Sequence, residues 1–494
     1  MTDLPSQWLA FTVITEYNPL PTSRTESPMK KSPQFPYADR YTVVRGLPSE
    51  GRDHEAILHE LREMATEEDG SWEPGQASGS FYCGDKEHYA FMAQAFGMYG
   101  HVNALQRDIA PSATRFEGEI IAMGLDLMHG SAAAERGHDP VGLVTSGGTG
   151  SIAHAMLAYR EEAYAKGNRT PNVVKPETGH PAFDKACHLF GVEMRHAPID
   201  PASTQVDVAA MSAMIDANTV AIIGSASNYG YGTIDPIAQL SDLALERGIG
   251  LHVDGCLGGF ILPFGEMLGY DIPPFDFRIP GVTTISADTH KYGYGFKGTS
   301  ILMFRDRALR NGQYFFMTGW SGGKYSSPGM DGSRSSGLLA ATWASMVANG
   351  REGYLAKARK IFETAFSMQE AVRSHSSLRM NGKPTYCFSF TSDQFDVYHV
   401  NDFMRTRGWR LNGQQYPNSL HMAVTGPQTQ PGVAEAFATD LADAVSYAIE
   451  HKDEAARSSA VYGSAAMSRE EAAVAIRGVM TSMLDRYQSL PPQD

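Results

Sequence analysis

Cysteine is scarce in this chain: there are four in 494 residues, Cys83, Cys187, Cys256 and Cys387. They are scattered with no CxxC pair, which excludes a sequence-evident zinc site or disulfide framework and predicts free thiols in a reducing cytoplasm. Basic charge is short as well. Against 41 Lys and Arg stand 55 Asp and Glu, a formal net charge of −14, so there is no cationic surplus to displace counterions from nucleic-acid phosphates. No window of about eighteen uninterrupted apolar residues occurs, and Met1 to Asn18 lacks a basic segment followed by an apolar one. A soluble protein without a transmembrane segment is expected. Internal repeats and low-complexity tracts are missing too. What is present is length, enough for two or three domains with a core that needs no staples.

Residues 1 to 50 hold seven of the 27 prolines and little periodicity, which predicts an extended arm of the kind that wraps a partner subunit. A helix is expected from Asp53 to about Met64, with Ile57, Leu58, Leu61 and Met64 on one face. From Val141 onward strands and helices alternate. The predicted strands are Gly142 to Thr145, Asn172 to Val174, Val220 to Ile223, the Leu251 run, Val282 to Ile285 and Ser300 to Phe304. Between them come helices from Ser151, around Phe183 to Phe190 with Gly191 closing, and after Asp235-Pro236, read as N-cap and first-turn proline. Near-continuous apolar strands alternating with helices predict a mostly parallel sheet covered on both faces. A long helix from Gly337 then leads to strands at Tyr386 to Phe390 and Leu420 to Val424 and helices at Val397 to Arg407 and Val433 to Glu450, a smaller α+β domain. The expected division is 1–75, arm and helix; 76–345, large domain; 346–494, small C-terminal domain.

Chemistry concentrates at the ends of these strands. Lys291, in Ser286-Ala287-Asp288-Thr289-His290-Lys291-Tyr292-Gly293-Tyr294, follows the β-branched run, where desolvation is expected to lower its pKa towards a nucleophilic amine able to form a Schiff base. Upstream, Gly250-Leu251-His252-Val253-Asp254 ends in a carboxylate. An amine and an acid at adjacent strand ends are the two groups a pyridoxal 5'-phosphate site requires, one for the aldehyde and one for the pyridine nitrogen. Gly147-Gly148-Thr149-Gly150-Ser151 joins a strand to a helix and reads either as a tight turn or as a phosphate cradle of backbone amides. Gly293-Tyr294-Gly295-Phe296-Lys297-Gly298 fits GxGxxG, but a strand follows it instead of a helix, so the dinucleotide reading fails.

Taken together, Thr145 to Thr149, Val253 to Phe260, Ser286 to Tyr294 with Lys297-Gly298, and Gly332-Ser333-Arg334 occur in the order and at the spacing of sphingosine-1-phosphate lyases. The chain resembles that family, part of the fold-type I, group II decarboxylase-like pyridoxal phosphate enzymes, from about Ser78 to about Tyr487. The resemblance implies an α/β fold of the PLP-dependent transferase type and a homodimer with shared sites. It implies cofactor contacts from Gly148, Thr149, His180 stacked on the ring, Asp254, His290 and Lys291, with Gly332 and Ser333 reaching over from the neighbouring subunit. Tyr82, Asn103, Gln106, Tyr229, Lys297 and Tyr462 fall at positions lining the substrate side. The implied reaction is retro-aldol cleavage of a phosphorylated sphingoid base to a fatty aldehyde and phosphoethanolamine, with Lys297 or a nearby tyrosine as base. Eukaryotic members carry an N-terminal membrane anchor, and the lack of one here points to the soluble bacterial form. Two departures stand out: Gly150 where the family usually has Glu, and Gln106 where it has His. They keep open a group II amino-acid decarboxylase, which takes an amino acid in place of the phosphorylated amino alcohol. A catalytically silent scaffold is disfavoured by Lys291, Asp254 and His180 together.

Overall fold

The structure, a computed structural model, describes residues 35–459 and 469–491. Its centre is a seven-stranded sheet built from β1 (Val141–Thr145), β2 (Asn172–Pro176), β3 (Glu193–Ala197), β4 (Thr219–Ser225), β5 (Gly250–Gly255), β6 (Thr284–Ala287) and β7 (Ser300–Phe304), in the order β1-β7-β6-β5-β4-β2-β3. Pairing is parallel from β3 through β6, while β7 is antiparallel to both β6 and β1. Only β7 is therefore reversed, and the mostly parallel sheet read from the sequence is what forms. β1, β2, β6 and β7 are buried along their whole length, and β5 along all but Gly250, as strands covered on both faces must be.

Helices precede, cross over and follow these strands. They are α1 (His54–Asp69), α2 (Lys86–Tyr99), α3 (Pro111–Leu127), α4 (Gly130–Glu135), α5 (Gly148–Ala165), α6 (Ala182–Phe190), α7 (Val208–Ala213), α8 (Ile237–Arg247), α9 (Leu262–Met267), α10 (Arg307–Asn311), α11 (Ser336–Arg373), α12 (Tyr398–Thr406), α13 (Val433–Glu450) and α14 (Arg469–Tyr487). Alternate strand residues face two separate cores. Leu143, Val173, Ile223 and Leu302 pack with α5 and α6, and Val144, Val174, Ile222, Val253 and Ile301 pack in the larger core with α3, α8, α9 and α11. This period of two decides which strand side chains meet α5, and Asp254 has the same parity as His252 on β5.

The smaller C-terminal domain holds an antiparallel sheet, β10 (Arg379–Met380), β11 (Cys387–Thr391), β13 (Ser419–Ala423) and β12 (Asn412–Gln414), packed with α12 and α13. The helix α11 runs from the large core into this layer and is broken at Gly350, whose φ of 54° lies in the left-handed region open to glycine. The expected 345/346 division falls inside α11.

Several local expectations need correction. Asp235 does not cap α8; Pro236 occupies that place, and the Asp235 carboxylate turns inward to accept hydrogen bonds from the backbone N–H of Ser225 (2.8 Å) and of Val206 (3.0 Å). The helix after the glycine turn begins at Gly148, three residues before Ser151. Both β3 and a hairpin of β8 (Phe315–Trp320) with β9 (Gly323–Ser327) were not foreseen. The apolar face of α1 forms as read, yet Ile57, Leu58 and Leu61 are exposed. Of the proline-rich arm, residues 1–34 lie outside the described residues.

Candidate active site

Parallel strands end on one edge of the sheet, and ligands in such folds bind beyond their carboxyl ends. The segments following β1, β2 and β6 there carry Gly148, His180 and Lys291, and the end of β5 itself carries Asp254. The glycine turn resolves towards its cradle reading: Gly147 caps α5 at φ 120°, Gly148 opens the helix, and the Thr149 side chain is exposed at its first turn. A Cβ built on Gly148 would stand 2.7 and 2.8 Å from the Asp288 carboxylate oxygens. Only a residue without a side chain leaves that recess open. Gly150 meets nothing nearer than Ser146 Oγ, at 2.9 Å from a built Cβ.

Asp254 is buried at the end of β5, paired across the ladder with Ser286 of β6. Its Oδ1 accepts from the Cys256 N–H at 3.0 Å and the Ser286 hydroxyl at 3.3 Å, so Oδ2 keeps its acceptor capacity for a ring N–H. His180 precedes α6, and its Nδ1 accepts from the Ala182 N–H at 3.1 Å. Burial lowers its pKa and keeps the imidazole neutral, suited to lying against an aromatic ring. His290 is likewise lowered by burial, with Nδ1 2.6 Å from the Thr299 carbonyl.

Lys291 Nζ lies 2.9 Å from Asp288 Oδ2. Burial is the largest single influence and opposes its charge, but the Asp288 carboxylate together with Tyr82 and Cys256 outweighs it and holds the amine's pKa above its ordinary value. The expected lowering is thus reversed, because the countercharge sits three residues away in the same loop. Asp288 is the functional residue the sequence reading passed over. Its Oδ1 is buried with no hydrogen-bond partner among the described residues, facing the same recess as Gly148.

Across from Lys291, Lys297 Nζ stands 4.5 Å from the centre of the Tyr82 ring. Burial first and repulsion from Lys291 second pull its pKa down to about 8. Burial pushes the Tyr82 hydroxyl up to about 12 and also raises Tyr229. Tyr229 is partly open to solvent at the rim, its ring centre 4.6 Å from that of His421.

The structure therefore gathers Tyr82, Gly148, His180, Tyr229, Asp254, His290, Lys291 and Lys297. Asn103, Gln106, Gly332 and Ser333 form a second cluster. There, the Asn103 side chain donates to Ser333 Oγ at 3.0 Å, Gln106 and Ser333 are exposed, and Arg334 is pinned by Glu117 (3.1 Å) and the Val144 carbonyl (2.7 Å). Among the described residues no hydrogen bond or ion pair joins these four to Lys291, Asp254 or His180. Tyr462 lies outside the described residues.

The residues fit pyridoxal phosphate: a helix N-terminus for the phosphate, an open carboxylate oxygen for the ring nitrogen, a neutral imidazole for the ring face and a buried lysine for the aldehyde. Comparison with known proteins agrees. Residues 47–389 match the pyridoxal-dependent decarboxylase conserved domain. The sphingosine-1-phosphate lyase of Dictyostelium discoideum is 42% identical over 81% of this chain and 74% of its own length. The structure of a Burkholderia pseudomallei K96243 sphingosine-1-phosphate lyase is 54% identical, covers 92% of this chain and 100% of its own, and superposes with a TM-score of 0.87. A Lactobacillus brevis glutamate decarboxylase, 20% identical with a TM-score of 0.70 over 85% of this chain and 97% of its own, shares the fold. With cofactor chemistry, motif order and overall fold in agreement, the chain belongs to the pyridoxal-phosphate-dependent sphingosine-1-phosphate lyases within the pyridoxal-dependent decarboxylase family.

Proposed function

We propose that this chain cleaves the C2–C3 bond of a phosphorylated sphingoid long-chain base, releasing a fatty aldehyde and phosphoethanolamine. The observation that carries the reading is Lys297, an amine at the solvent-open side of the site whose pKa is drawn down to about 8 by partial desolvation and by Lys291, 4.5 Å from the centre of the Tyr82 ring. Retro-aldol cleavage requires a base for the C3 hydroxyl proton; loss of CO₂ from an amino acid does not.

When bound, the cofactor supplies an electron sink for the pair released at C2. Lys291 would hold its aldehyde, Asp254 Oδ2 would keep its ring nitrogen protonated, and His180 would fix the ring plane, which decides the bond aligned for cleavage. Gly148, Thr149 and His290 hold the phosphate. Lys297 takes the hydroxyl proton, and Tyr82, protonated at neutral pH, is placed to donate one. Asp288, 2.9 Å from Lys291 Nζ, holds the free amine as an ammonium.

Homodimerisation is part of the proposal, with Gly332 and Ser333 of one subunit serving the cofactor phosphate of the other and Asn103, Gln106 and Tyr462 serving the substrate side of a shared site. The exposed Phe315, Phe316, Met317 and Trp320 of the β8–β9 hairpin and the apolar stripe of α1 support it, since an isolated hairpin with an uncovered apolar face is marginal in water. Free cysteines support a cytoplasmic location, and among the described residues no helix is long and apolar enough to cross a membrane. The division at 75/76 and 345/346 stands as the proposed domain plan. A panel of phosphorylated amino alcohols and amino acids tests the function. Aldehyde from the phosphorylated sphingoid base supports it, and CO₂ from an amino acid without aldehyde replaces it with the decarboxylase.

A further inference from the structure

Behind Asp254 the space between β5, β6 and α5 holds the buried hydroxyls of Ser286, Thr284 and Tyr159 and one buried imidazole, His252, with the half-buried Thr283 at its far end. Ser286 Oγ lies 3.3 Å from Asp254 Oδ1 and 3.3 Å from His252 Nε2. On the other side of the ring, His252 Nδ1 is 2.8 Å from Thr284 Oγ1. Thr284 Oγ1 is 2.7 Å from the Tyr159 hydroxyl, itself 2.6 Å from Thr283 Oγ1, which accepts the Leu251 N–H at 3.0 Å. The ladder register places these groups, because His252 faces Thr284 and Asp254 faces Ser286 on the same side of the sheet.

Proton counting gives this chain one direction. A carboxylate has no proton to offer, so Ser286 must donate to Asp254. Having one proton, Ser286 cannot also donate to His252, so Nε2 carries the imidazole hydrogen and donates to Ser286. Burial pulls His252 down to about 4, so the ring is neutral and Nδ1 is an acceptor. Thr284 then donates to Nδ1 and Tyr159 to Thr284, while the Thr283 hydroxyl has acceptors on two sides, Tyr159 at 2.6 Å and the Leu251 carbonyl at 3.0 Å. Cys256 Sγ, donating to Ser286 Oγ at 3.1 Å, agrees with the same orientation.

We infer that Ser286, His252 and Thr284 are positioning residues, a one-way hydrogen-bond wire that locks a hydroxyl onto Asp254 Oδ1 and so keeps the shared proton on the cofactor's ring nitrogen. A carboxylate stabilised by a donor competes less well for that proton. The inference rests on Asp254 serving the ring nitrogen, as proposed above, and concerns what sets its strength.

The test is ¹⁵N NMR of holoenzyme loaded with ring-¹⁵N pyridoxal phosphate, together with steady-state kinetics. Wild type should show the pyridinium signal. Ser286→Ala should move it towards the neutral-pyridine position and lower kcat about tenfold with little change in KM, and Ser286→Thr should restore both. Thr284→Val touches nothing on Asp254, yet it frees His252 to change tautomer and compete for the Ser286 proton. It should move the signal the same way by a smaller amount, with Thr284→Ser restoring it. A wild-type signal in the Thr284→Val holoenzyme, or in Ser286→Ala, would overturn the wire while leaving Asp254 in its role. A pyridinium signal surviving Asp254→Asn would instead overturn the placement of Asp254, and the wire with it.

Discussion

Two lysines six residues apart are driven in opposite directions by what surrounds them. Lys297 has burial and a neighbouring cation, and its pKa falls to about 8; Lys291 has burial and a carboxylate at 2.9 Å, and its pKa rises. For a base that works only after losing its proton, kcat/KM should climb roughly tenfold per pH unit below about 8 and level above it. Lys297→Arg, which stays protonated, should remove that limb and most of the activity; an unchanged limb in the Arg variant would assign it to another group. At Lys291 the sign is reversed. Replacing Asp288 with Asn removes the leading opposition to burial, so the amine loses its proton at lower pH. Apoprotein of this variant should take up pyridoxal phosphate, read from the visible band and from borohydride-reduced cofactor on the Lys291 peptide, with a midpoint at lower pH than wild type. An unshifted midpoint would show that Asp288 does not set the charge. Lys291, Asp254 and His180 were legible because each sits in a motif whose order is diagnostic. Asp288 was not, since its effect arises from the way the loop folds back on itself. Burial can be guessed from an apolar run, whereas a countercharge at hydrogen-bond distance cannot.

Among the elements, the apolar strands β1, β2, β4, β5 and β7 were readable because a doubly covered strand has no polar face to confuse the pattern. β3 was missed for the opposite reason: Glu193, Arg195 and His196 on a sheet edge carry no such signal. Likewise β8–β9 exposes apolar residues on an isolated hairpin, a pattern that periodicity reads as neither buried strand nor helix. Asp235 shows a motif with two structural meanings. Asp-Pro before a helix signals a cap, but here the side chain ties the end of β4 to the segment at Val206. Asp235→Ala should strand two buried N–H groups and cost about 2–4 kcal/mol in denaturant unfolding; a loss under 0.5 kcal/mol would mean that water replaces the carboxylate. Burial raises Asp235 to about 6, above the unfolded value of about 4. The folded chain therefore binds more protons in that window, and this group's contribution to stability should decline as pH rises from about 4 to 6 and stay flat above.

For the whole molecule, two features of one chain ask for a second: an apolar stripe on α1 with a bare hairpin, and a cluster around Ser333 that stands apart from Lys291 in the same chain. Its mass in solution should be twice 53.7 kDa, and heterodimers of a Lys291→Ala chain with a Ser333→Ala, Gln106→Ala chain should regain activity that neither homodimer has, because two-fold symmetry leaves one intact site. Confirmed heterodimers without activity would place each site within one chain. The α/β plan, a sheet with helices on both faces, and the C-terminal antiparallel sheet followed from patterning, while the partner surface did not, because an exposed apolar stripe and a core-facing one look alike in sequence. The central claim, cleavage between C2 and C3, is tested most directly by turnover of a phosphorylated sphingoid base in D₂O with mass spectrometry of both products. The account predicts a fatty aldehyde without added deuterium and phosphoethanolamine with one carbon-bound deuterium, on the carbon that bore the broken bond. Absence of aldehyde, or phosphoethanolamine carrying no deuterium, would contradict it.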